Sequence, residues 1–316
     1  MNKQQTANSK QLLSIIVPAY NEQEVLITFH QTITAIMNNV NMNYEVIYIN
    51  DGSIDSTESI ILQLKQHHPE IVYIKFSRNF GKEAGMTAGF KICRGDAAII
   101  MDADLQDPPS LIPAMLSAWS NGAEVVNMRR SLRQGDPLWK KVTANLFYRL
   151  ISKISEIPIP ANVGDFRLFS RNVINTINQL NERERFMKGI YAWVGYPQAT
   201  IDYERKARIA GTTKWPFLKL INLAAQGIIA FSSAPLKIAM WLGLISSGSA
   251  FIYAGFFLIK SLIAPDAVHG FPTLIIAILF LGGLQLFCIG VLGEYTARIY
   301  TEVKQRPIYV IEKFFQ

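Results

Sequence analysis

Five apolar residues stand directly before three aspartates in the segment Ala97-Ala98-Ile99-Ile100-Met101-Asp102-Ala103-Asp104-Leu105-Gln106-Asp107-Pro108-Pro109. The apolar run predicts a buried strand, and the acidic residues predict a loop at its carboxyl end. In open sheets of parallel strands, ligands bind beyond the carboxyl ends of the strands. The segment therefore predicts a strand of such a sheet with a ligand site at its edge.

Four more apolar runs have this character, and helix-like stretches separate them. The runs are Leu13–Val17, Tyr44–Ile49, Ile71–Phe76 and Glu124–Met128. The helix-like stretches lie at about Glu22–Asn39, Ser56–Gln66, Lys82–Cys93 and Ser110–Asn121. The alternation of strand and helix predicts an α/β fold, in which a mostly parallel sheet is covered on both faces.

Three glycines, Gly81, Gly85 and Gly89, recur every four residues around the third helix-like stretch. Their spacing indicates a stripe along which this helix packs closely. The chain has neither a Gly-x-Gly-x-x-Gly motif nor a Walker A loop. The absence of both motifs argues against dehydrogenases and P-loop ATPases.

The apolar residues are concentrated near the C-terminus. Hydrophobic residues make up 50% of the 316 residues and charged residues only 17%. No charged residue lies within Ile238–Ile259 or within Phe271–Gly293. Each stretch has the roughly 20 residues that a helix needs to cross ~30 Å of hydrocarbon. We expect two transmembrane helices; buried helices of a soluble core are the alternative.

Basic residues flank the two apolar stretches on their outer sides. The positive-inside rule then places both termini in the cytoplasm and a short hairpin loop on the far side. No signal peptide precedes the first strand, so we expect the first ~235 residues to be cytoplasmic. The net charge of +7 suits contact with anionic lipid head groups. Nucleic acid is the alternative partner of a basic chain, but no nucleic-acid-binding motif is present and we expect none.

Two further stretches have helical spacing of apolar residues with basic residues between them. They are Leu138–Ile157 and Trp215–Phe231. Such helices lie in the membrane interface, which is our prediction for both. Helices that cap the sheet or form a subunit contact are the alternative.

Asp102 and Asp104 stand one residue apart at a strand end, where their carboxylates repel each other unless a cation or hydrogen bonds compensate. Oxygen ligands of this kind suit Mg²⁺ or Mn²⁺, and Gln106 adds a neutral oxygen. An acidic loop without metal is the alternative. Asp107, before Pro108, is predicted to be a helix N-cap.

The first strand ends in a second motif, Val17–Glu22. Pro18 cannot donate a ladder hydrogen bond, so strand pairing stops there. Tyr20 offers a flat surface to a base, and Glu22 offers an acceptor to ribose hydroxyls. A plain strand-to-helix turn is the alternative.

A third motif, Asn50–Thr57, follows the second strand. Asp51 ends an apolar strand and could accept a hydrogen bond from a base N–H. Asp55 and Glu58 have the spacing of a capping box for the next helix. We therefore assign Asp51 to the site and Asp55 to the fold.

Basic residues near the later strands form a fourth cluster. Arginine matches the geometry of phosphate, so a cluster of basic residues near the strand ends indicates that the site binds phosphate groups. The cluster contains Arg129, Arg130, Arg133, Arg167, Arg208 and Lys214.

Taken together, these motifs resemble the family 2 inverting glycosyltransferases of the GT-A fold, which is Rossmann-like. More narrowly they are similar to the polyprenyl-phosphate sugar transferases, the group of bactoprenol glucosyltransferases and dolichyl-phosphate mannose synthases. The matching segments are Val17–Glu22, Asn50–Thr57, Ser77–Glu83, Asp102–Pro109, Gly164–Arg171 and Gly211–Trp215. The two apolar stretches point to the bacterial branch. Thr212-Thr213 stands where relatives more often have Glu-Ser, and Asn50 where they often have Asp.

The resemblance implies the roles of particular residues. Contacts to the nucleotide sugar are implied for Pro18, Tyr20, Glu22, Ile49, Asp51, Lys82, Asp102, Ala103, Asp104, Arg129, Arg208 and Lys214. Binding of Mg²⁺ or Mn²⁺ is implied for Asp102, Asp104 and Gln106. Catalytic roles are implied for Asp104, Asp165, Arg129 and Arg167.

The resemblance also implies the reaction, an inverting transfer of a hexose from a nucleotide sugar to polyprenyl phosphate at the bacterial cytoplasmic membrane. A lipid phosphate is already largely anionic at neutral pH, so the transfer needs positioning and charge neutralisation more than a base. We favour UDP-glucose as donor and undecaprenyl phosphate as acceptor. GDP-mannose, UDP-N-acetylglucosamine and a UDP-aminoarabinose derivative are the alternatives. We also expect a homo-oligomer.

Two rival functions were weighed. A processive polysaccharide synthase carries a Gln-x-x-Arg-Trp motif, and the chain has no Arg-Trp dipeptide. A non-catalytic membrane scaffold has no need of carboxylates at a strand end.

The predicted regions are a nucleotide-sugar-binding core at 1–134, an acceptor-side region at 135–235, two transmembrane helices at 236–295 and a cytoplasmic tail at 296–316.

Overall fold

The computed structural model describes residues 11–130, 163–204, 232–263 and 270–316. Within these ranges eight strands form one sheet in the order β7-β5-β6-β4-β1-β2-β3-β8. The strands are β1 Leu12–Ala19, β2 Asn43–Asn50, β3 Ile71–Phe76, β4 Ala97–Ile100, β5 Val125–Arg130, β6 Val163–Ser170, β7 Gln198–Tyr203 and β8 Ile311–Phe315. The five predicted strands are all present, so the α/β fold is confirmed.

The centre of the sheet is parallel, as predicted. Three of the described strands were not predicted: β7 pairs parallel with β5, and the other two are antiparallel to their neighbours. Strands β4, β1, β2 and β3 run in one direction, and Ile15 of β1 lies between Val46 of β2 and Ile99 of β4. Strand β6 inserts antiparallel between β4 and β5. Strand β8 pairs antiparallel with β3 and is the outermost strand on that side of the sheet.

Helices cover both faces of the sheet. They are α1 Leu26–Met37, α2 Thr57–His67, α3 Lys82–Ile92, α4 Ile112–Ser120, α5 Arg171–Gln179, α6 Met187–Trp193, α7 Ala234–Ile263 and α8 Phe271–Lys304. Side chains of β1 alternate between the two layers. Ile15 joins Phe29 of α1 in one buried cluster, whereas Ile16 joins Phe90 of α3 in the other. This alternation is the period-two pattern of a strand buried on both sides.

The predicted glycine stripe is correct for two of its three members. A Cβ at Gly89 would lie 2.3 Å from Ile16 Cγ2, and a Cβ at Gly85 would lie 3.2 Å from Pro18 Cβ. Both glycines let α3 pack closely on β1. Gly81 has no atom within 4 Å of such a Cβ, but its φ of +94° favours glycine. Its role is to turn the chain into α3.

Helices α7 and α8 are apolar over lengths that suffice to cross a membrane, at Ala234–Phe256 and Ile276–Lys304. Their large apolar side chains face outward; Phe251 and Ile252 are 78% and 77% exposed. An exposed apolar surface of this extent is typical of contact with lipid or another protein. The two helices are consistent with a membrane-associated hairpin.

The C-terminal segment, predicted as a tail, contributes a strand. After α8 the chain returns to the sheet, and β8 places Phe314 opposite Ile74 of β3. Phe315 stacks on Tyr73, with ring centroids 6.1 Å apart. The end of α8 is thereby fixed to the sheet. The amphipathic helices predicted at Leu138–Ile157 and Trp215–Phe231 lie outside the described residues.

Candidate active site

The predicted motifs meet at one edge of the sheet, where β1, β2 and β4 end. Because these strands are parallel, the loops that follow Ala19, Asn50 and Ile100 emerge side by side. Strand β6 runs the other way, so its first residues lie at the same edge. Its register places Arg167 opposite Ile100, which brings Asp165 opposite Asp102. The pairing of β6 with β4 thus brings together two aspartates that lie over sixty residues apart in the sequence.

Lys82 joins the two carboxylates at the centre of this edge. Its Nζ atom lies 2.6 Å from Asp102 Oδ1 and 2.8 Å from Asp165 Oδ2. Burial would lower the pKa of Lys82, but Asp102 and then Asp165 raise it well above its ordinary value. Burial would likewise raise the pKa of Asp165, but Lys82 and then Lys188 lower it to about 2. The lysine is therefore a cation and Asp165 an anion across the physiological range.

Asp165 retains one oxygen for another partner. Its Oδ1 atom is buried and has no hydrogen-bond partner within the described part of the chain. A buried carboxylate oxygen without a donor is costly. This oxygen is therefore well suited to accept a hydrogen bond from a ligand.

The loop after β4 holds the other predicted oxygen ligands. Asp104 and Gln106 are both 7% exposed, and the backbone N–H of Gln106 donates a hydrogen bond to Asp104 Oδ1 at 3.1 Å. Leu105 between them has a φ of 55°, a left-handed conformation that non-glycine residues seldom adopt. Such strain is frequent at functional sites.

The assignment of Asp107 as a helix N-cap is wrong. A 3₁₀ turn at Pro109–Leu111 precedes α4, and its N-cap is Pro108, with no side-chain cap hydrogen bond. The carboxylate of Asp107 is buried and accepts a short hydrogen bond from the Tyr203 hydroxyl. Arg130 Nη2 lies 3.6 Å from the same oxygen. Asp107 thus contributes a further negative charge to this edge.

Asp51 organises the turn that presents Lys82. Its two carboxylate oxygens accept hydrogen bonds from the Phe80 and Gly81 amides, at 2.6 and 2.9 Å. Gly52 has a φ of +68°, and a Cβ there would lie 2.5 Å from the carbonyl carbon of Arg78. Burial raises the pKa of Asp51, and the two amides oppose that rise. The residue predicted to bind a base thus also fixes the start of α3.

The loop after β1 is fastened to the loop after β2. The amides of Asn21 and Glu22 donate to Ser53 Oγ at 3.0 Å and to Thr57 Oγ1 at 2.9 Å. These bonds hold Tyr20, which is 44% exposed at the rim. The two loops are thereby held together, with the flat ring of Tyr20 at their exposed surface.

Asp55 supports this pair of loops, but the predicted capping box is absent. Its two oxygens accept hydrogen bonds from the Thr57 and Gln23 amides. The cap residue of α2 is Ser56, with no side-chain cap hydrogen bond. Glu58 instead forms ion pairs of 2.9 and 2.8 Å with Lys75 and Lys313. Asp55 is thus structural, by a different set of contacts.

Neighbouring arginines of β5 point in opposite directions, because side chains alternate along a strand. Arg129, predicted to bind phosphate, is exposed and forms a two-pronged ion pair with Asp202 at 2.5 and 2.8 Å. Arg130 faces the site, and its Nε donates to the Tyr203 hydroxyl at 3.2 Å. Both arginines belong to the predicted basic cluster, and the alternation that follows buried Met128 favours Arg130 over Arg129 as the one that faces the site.

Arg167, for which the resemblance implies a catalytic role, is a buried residue of β6. It is 1% exposed, and its Nε atom donates to the Gly164 carbonyl at 3.0 Å. The guanidinium lies over the Tyr191 ring, 5.0 Å from its centroid. Nη2 is buried without a partner among the described residues. The predicted Arg133, Arg208 and Lys214 lie outside those residues.

Glu83 is a site residue to which no role was assigned from the sequence. It follows Lys82 on α3, and its Oε2 atom accepts a hydrogen bond from the Met187 amide at 3.2 Å. Burial and then the charge of Asp165 raise the pKa of Glu83 to about 7. The sequence feature that could have indicated Glu83 as a site residue is its position next to Lys82 in the Ser77–Glu83 motif.

Comparison with known proteins settles the family. Residues 14–177 match the domain described as glycosyl transferase family 2, which is just over half of the chain. The chain belongs to glycosyl transferase family 2. Residues 234–299 match the GtrB C-terminal hairpin, which contains α7 and most of α8. This family 2 enzyme thus combines a sugar-transferring domain with a hairpin of apolar helices.

Relatives of this family 2 enzyme match nearly the whole chain. A prophage bactoprenol glucosyl transferase homolog of Escherichia coli is 46% identical over 95% of this chain and 98% of its own. The bactoprenol glucosyl transferase of Shigella phage SfV is 45% identical over the same shares. Among solved structures, glucosyl-3-phosphoglycerate synthase of Mycobacterium tuberculosis, in complex with Mn²⁺, UDP-glucose and phosphoglyceric acid, gives a TM-score of 0.47. It is 18% identical and covers 69% of this chain and 78% of its own.

The carboxyl edge of the family 2 domain fits a divalent cation. The ammonium of Lys82 lies between the carboxylates of Asp102 and Asp165, so this edge binds positive charge. Buried Asp104 and Gln106 add oxygen atoms, which are the ligands that Mg²⁺ and Mn²⁺ prefer. The chemistry of these donor atoms suits the divalent metal that is typical of this fold.

A cavity of about 410 Å³ lies beside the same edge. Its walls come from the start of α3, the segment before α6 and the end of α8. Glu83 lines it together with four basic residues, and the rest of the lining is uncharged; the basic residues are Arg183, Arg185, Lys304 and Arg306. The cavity connects the neighbourhood of Lys82 with the end of an apolar helix.

Proposed function

We propose that this family 2 enzyme transfers glucose from UDP-glucose to a polyprenyl phosphate, undecaprenyl phosphate in bacteria, with inversion at the anomeric carbon. The observation that carries the proposal is the union of two features in one rigid unit. An acidic edge around Lys82 suits a diphosphate with its cation, and an apolar hairpin anchored to the same sheet suits a lipid acceptor. Whole-length relatives named bactoprenol glucosyl transferases support the sugar and the lipid.

The location that we propose is the cytoplasmic face of the bacterial inner membrane. The pairing of β8 with β3 ties the end of α8 to the catalytic domain. Arg298 of α8 lies 3.5 Å from Glu184, and Glu302 accepts a hydrogen bond from the Arg183 amide at 2.6 Å. Tyr295 near the end of α8 donates a hydrogen bond to the carbonyl of Ser232, just before α7, at 2.7 Å. The two ends of the hairpin therefore lie close together, which fits two crossings. Basic residues flanking the hairpin favour the cytoplasm for the side of these two ends.

The donor would occupy the loops after β1, β2 and β4. Tyr20 would stack on the base, Glu22 would accept hydrogen bonds from the ribose, and Asp51 would accept from a base N–H. Pro18, Ile49, Lys82, Ala103, Arg129, Arg208 and Lys214 complete the proposed donor contacts. The side chains of Ile49 and Ala103 lie in the core, so their contacts would come from backbone atoms.

Asp102, Asp104 and Gln106 would hold Mg²⁺ or Mn²⁺, which supplies charge neutralisation for the departing nucleoside diphosphate. Lys82 would exchange its contact with Asp102 for one with the donor diphosphate and would keep its contact with Asp165. Arg130 adds a second cation that faces the same edge. Fixed cations of this kind stabilise the negative charge that develops on the leaving group in the transition state, and such electrostatic stabilisation is usually the largest single contribution to catalysis.

The acceptor phosphate needs no catalytic base, because its oxygen is already anionic. Asp165 and Arg167 would hold the acceptor in line with the anomeric carbon, and Arg129 would contact phosphate. Glu83, whose pKa is about 7, would adjust the charge of the acceptor side near neutral pH. The chemistry then depends on positioning two anionic partners against fixed cations.

The test is transfer of label into lipid by purified enzyme. The enzyme is incubated with undecaprenyl phosphate, Mg²⁺ or Mn²⁺, and UDP-glucose, GDP-mannose or UDP-N-acetylglucosamine labelled in the sugar. We expect label in the lipid fraction with UDP-glucose. Label from another donor alone would replace glucose in the proposal, and no label from any donor would refute it.

A further inference from the structure

Three side chains with metal-ligating atoms meet at the opposite edge of the sheet. His30 lies on α1, His68 directly follows α2, and Glu70 directly precedes β3. One ligand atom of each lies within 4.8 Å of those of the other two. At about 3.3 Å per residue, strand β2 separates this amino edge from the loop of Asp51 by roughly 20 Å.

The buried member of the group has one nitrogen in use and one without a partner. His30 is 1% exposed, and its Nδ1 atom lies 3.1 Å from the Tyr48 hydroxyl. Its Nε2 atom is buried, has no hydrogen-bond partner in the described ranges, and lies 4.0 Å from Glu70 Oε1. When Nδ1 donates to Tyr48, Nε2 presents a lone pair to that carboxylate.

In this tautomer a cation placed between Nε2 and the Glu70 carboxylate would satisfy both groups. In the other tautomer an Nε2–H would face Glu70 Oε1 from 4.0 Å, which is too far for a hydrogen bond. A neutral imidazole whose second nitrogen is held by a hydrogen bond is the form that ligates metals. The bond to Tyr48 is the orienting contact that such a ligand needs.

The other two members open the group to solvent. His68 Nδ1 lies 3.1 Å from Glu70 Oε1, and the two side chains are 31% and 19% exposed. The His30 and His68 rings stand edge to face with centroids 4.3 Å apart. Tyr44 donates a hydrogen bond to the same Glu70 oxygen at 3.3 Å. An ion could enter from this side, and Tyr44 would hold the carboxylate.

We propose that His30, His68 and Glu70 bind a zinc-class divalent ion, with water as the fourth ligand. Metal–ligand distances of about 2.0–2.2 Å allow one ion to contact atoms that are 4.0 Å apart. Two imidazoles and one carboxylate favour zinc, whereas the oxygen ligands at the carboxyl edge favour Mg²⁺ or Mn²⁺. The ion would link α1 to the turn between α2 and β3. It stabilises the domain and takes no part in sugar transfer.

The experiment compares zinc binding by the full-length enzyme and two single variants. Chelator-treated protein is titrated with Zn²⁺ by calorimetry in excess Mg²⁺, which saturates the carboxyl edge. His68→Gln removes a ligand, and His67→Gln changes its exposed neighbour as a matched control. We expect one zinc site in the wild type and in His67→Gln, and an affinity about tenfold or more lower in His68→Gln. Co²⁺ should give the strong visible absorption of a four-coordinate site in the first two proteins only.

The proposal is overturned if the wild type binds no zinc in excess Mg²⁺, or if His68→Gln binds it as tightly as the wild type does. Circular dichroism establishes that each variant is folded. Should His68→Gln fail to fold, Glu70→Gln gives the same comparison. Label transfer is measured in parallel; it should be unchanged in His68→Gln, so the outcome is independent of the proposed sugar transfer.

Discussion

The two edges of the sheet gather ionisable side chains in different ways. At the carboxyl edge, Asp102 and Asp165 come from strands that are distant in sequence, and Lys82 compensates them at 2.6 and 2.8 Å. At the amino edge, His68 and Glu70 are near neighbours in sequence, and His30 has a nitrogen without a partner in the described chain. At the first edge an ammonium of the chain itself pairs with two carboxylates, whereas the second edge is where we propose that a metal ion binds.

Removal of the central ammonium should have the largest effect. Lys82→Met leaves Asp102 and Asp165 facing each other without a cation, so we expect transfer to fall about 100-fold or more and the melting temperature to fall as well. Lys91→Met, at the exposed end of the same helix, is the control and should change neither. Normal transfer by Lys82→Met would contradict the role of the carboxyl edge.

Disruption of the turn that presents Lys82 should have the next largest effect. Gly52→Ala forces a left-handed residue and places a Cβ 2.5 Å from the Arg78 carbonyl carbon. We expect a loss of about 1–3 kcal/mol in the free energy of unfolding, with a higher KM for the donor.

Gly122→Ala is the matched control for that variant. Gly122 has a φ of +99°, and a Cβ there would meet no atom within 4 Å. It therefore carries the cost of conformation without the clash, and its KM should match the wild type. Equal losses of stability in the two variants would show that the approach of Arg78 is unimportant.

The pH dependence of stability should distinguish Glu83 from the other acids. Its pKa is raised to about 7 in the folded state, so the folded state binds a proton that the unfolded state has already released. The free energy of unfolding should therefore decrease as pH rises from about 4.5 through 7. Glu83→Gln should reduce this decrease, as measured by urea unfolding at a series of pH values. An unaltered pH profile would contradict the raised pKa.

The smallest effect on stability is expected at the arginine that points away. Arg129 is exposed and pairs with exposed Asp202, and solvent-exposed ion pairs contribute little. Arg129→Gln should leave the melting temperature unchanged, whereas Arg130→Gln should lower it, because Arg130 lies beside buried Asp107. If Arg129 contacts phosphate as proposed, the KM for the donor should rise in Arg129→Gln. An unchanged KM would remove Arg129 from the site.

Most of the fold could be predicted because its central strands are predominantly apolar. The runs at β1 to β5 needed no partner to be recognised. Strand β6 was missed, because Asp165 and Arg167 interrupt its apolar residues. Strand β8 was missed because it follows an apolar helix and reads as a short tail. Both strands depend on pairing with segments that are distant in sequence.

The site was predictable where one motif supplied its members and unpredictable where the fold did. Asp102, Asp104 and Gln106 lie together in one loop, as their spacing indicates. The contact of Lys82 with both Asp102 and Asp165 depends on the register of β6 against β4. The failed N-cap at Asp107 has the same origin, since its partner Tyr203 lies at the end of β7. Local rules could not anticipate either contact.

The most direct test of the central claim is metal-dependent label transfer by Asp104→Asn. The wild type should move glucose from UDP-glucose to undecaprenyl phosphate with Mg²⁺ or Mn²⁺ and should lose this activity in EDTA. Asp104→Asn should show no transfer with either ion, while Asp96→Asn, at the opposite edge, should retain wild-type transfer. Full activity of Asp104→Asn, or of the wild type in EDTA, would contradict the claim that the carboxyl edge works through a bound divalent cation.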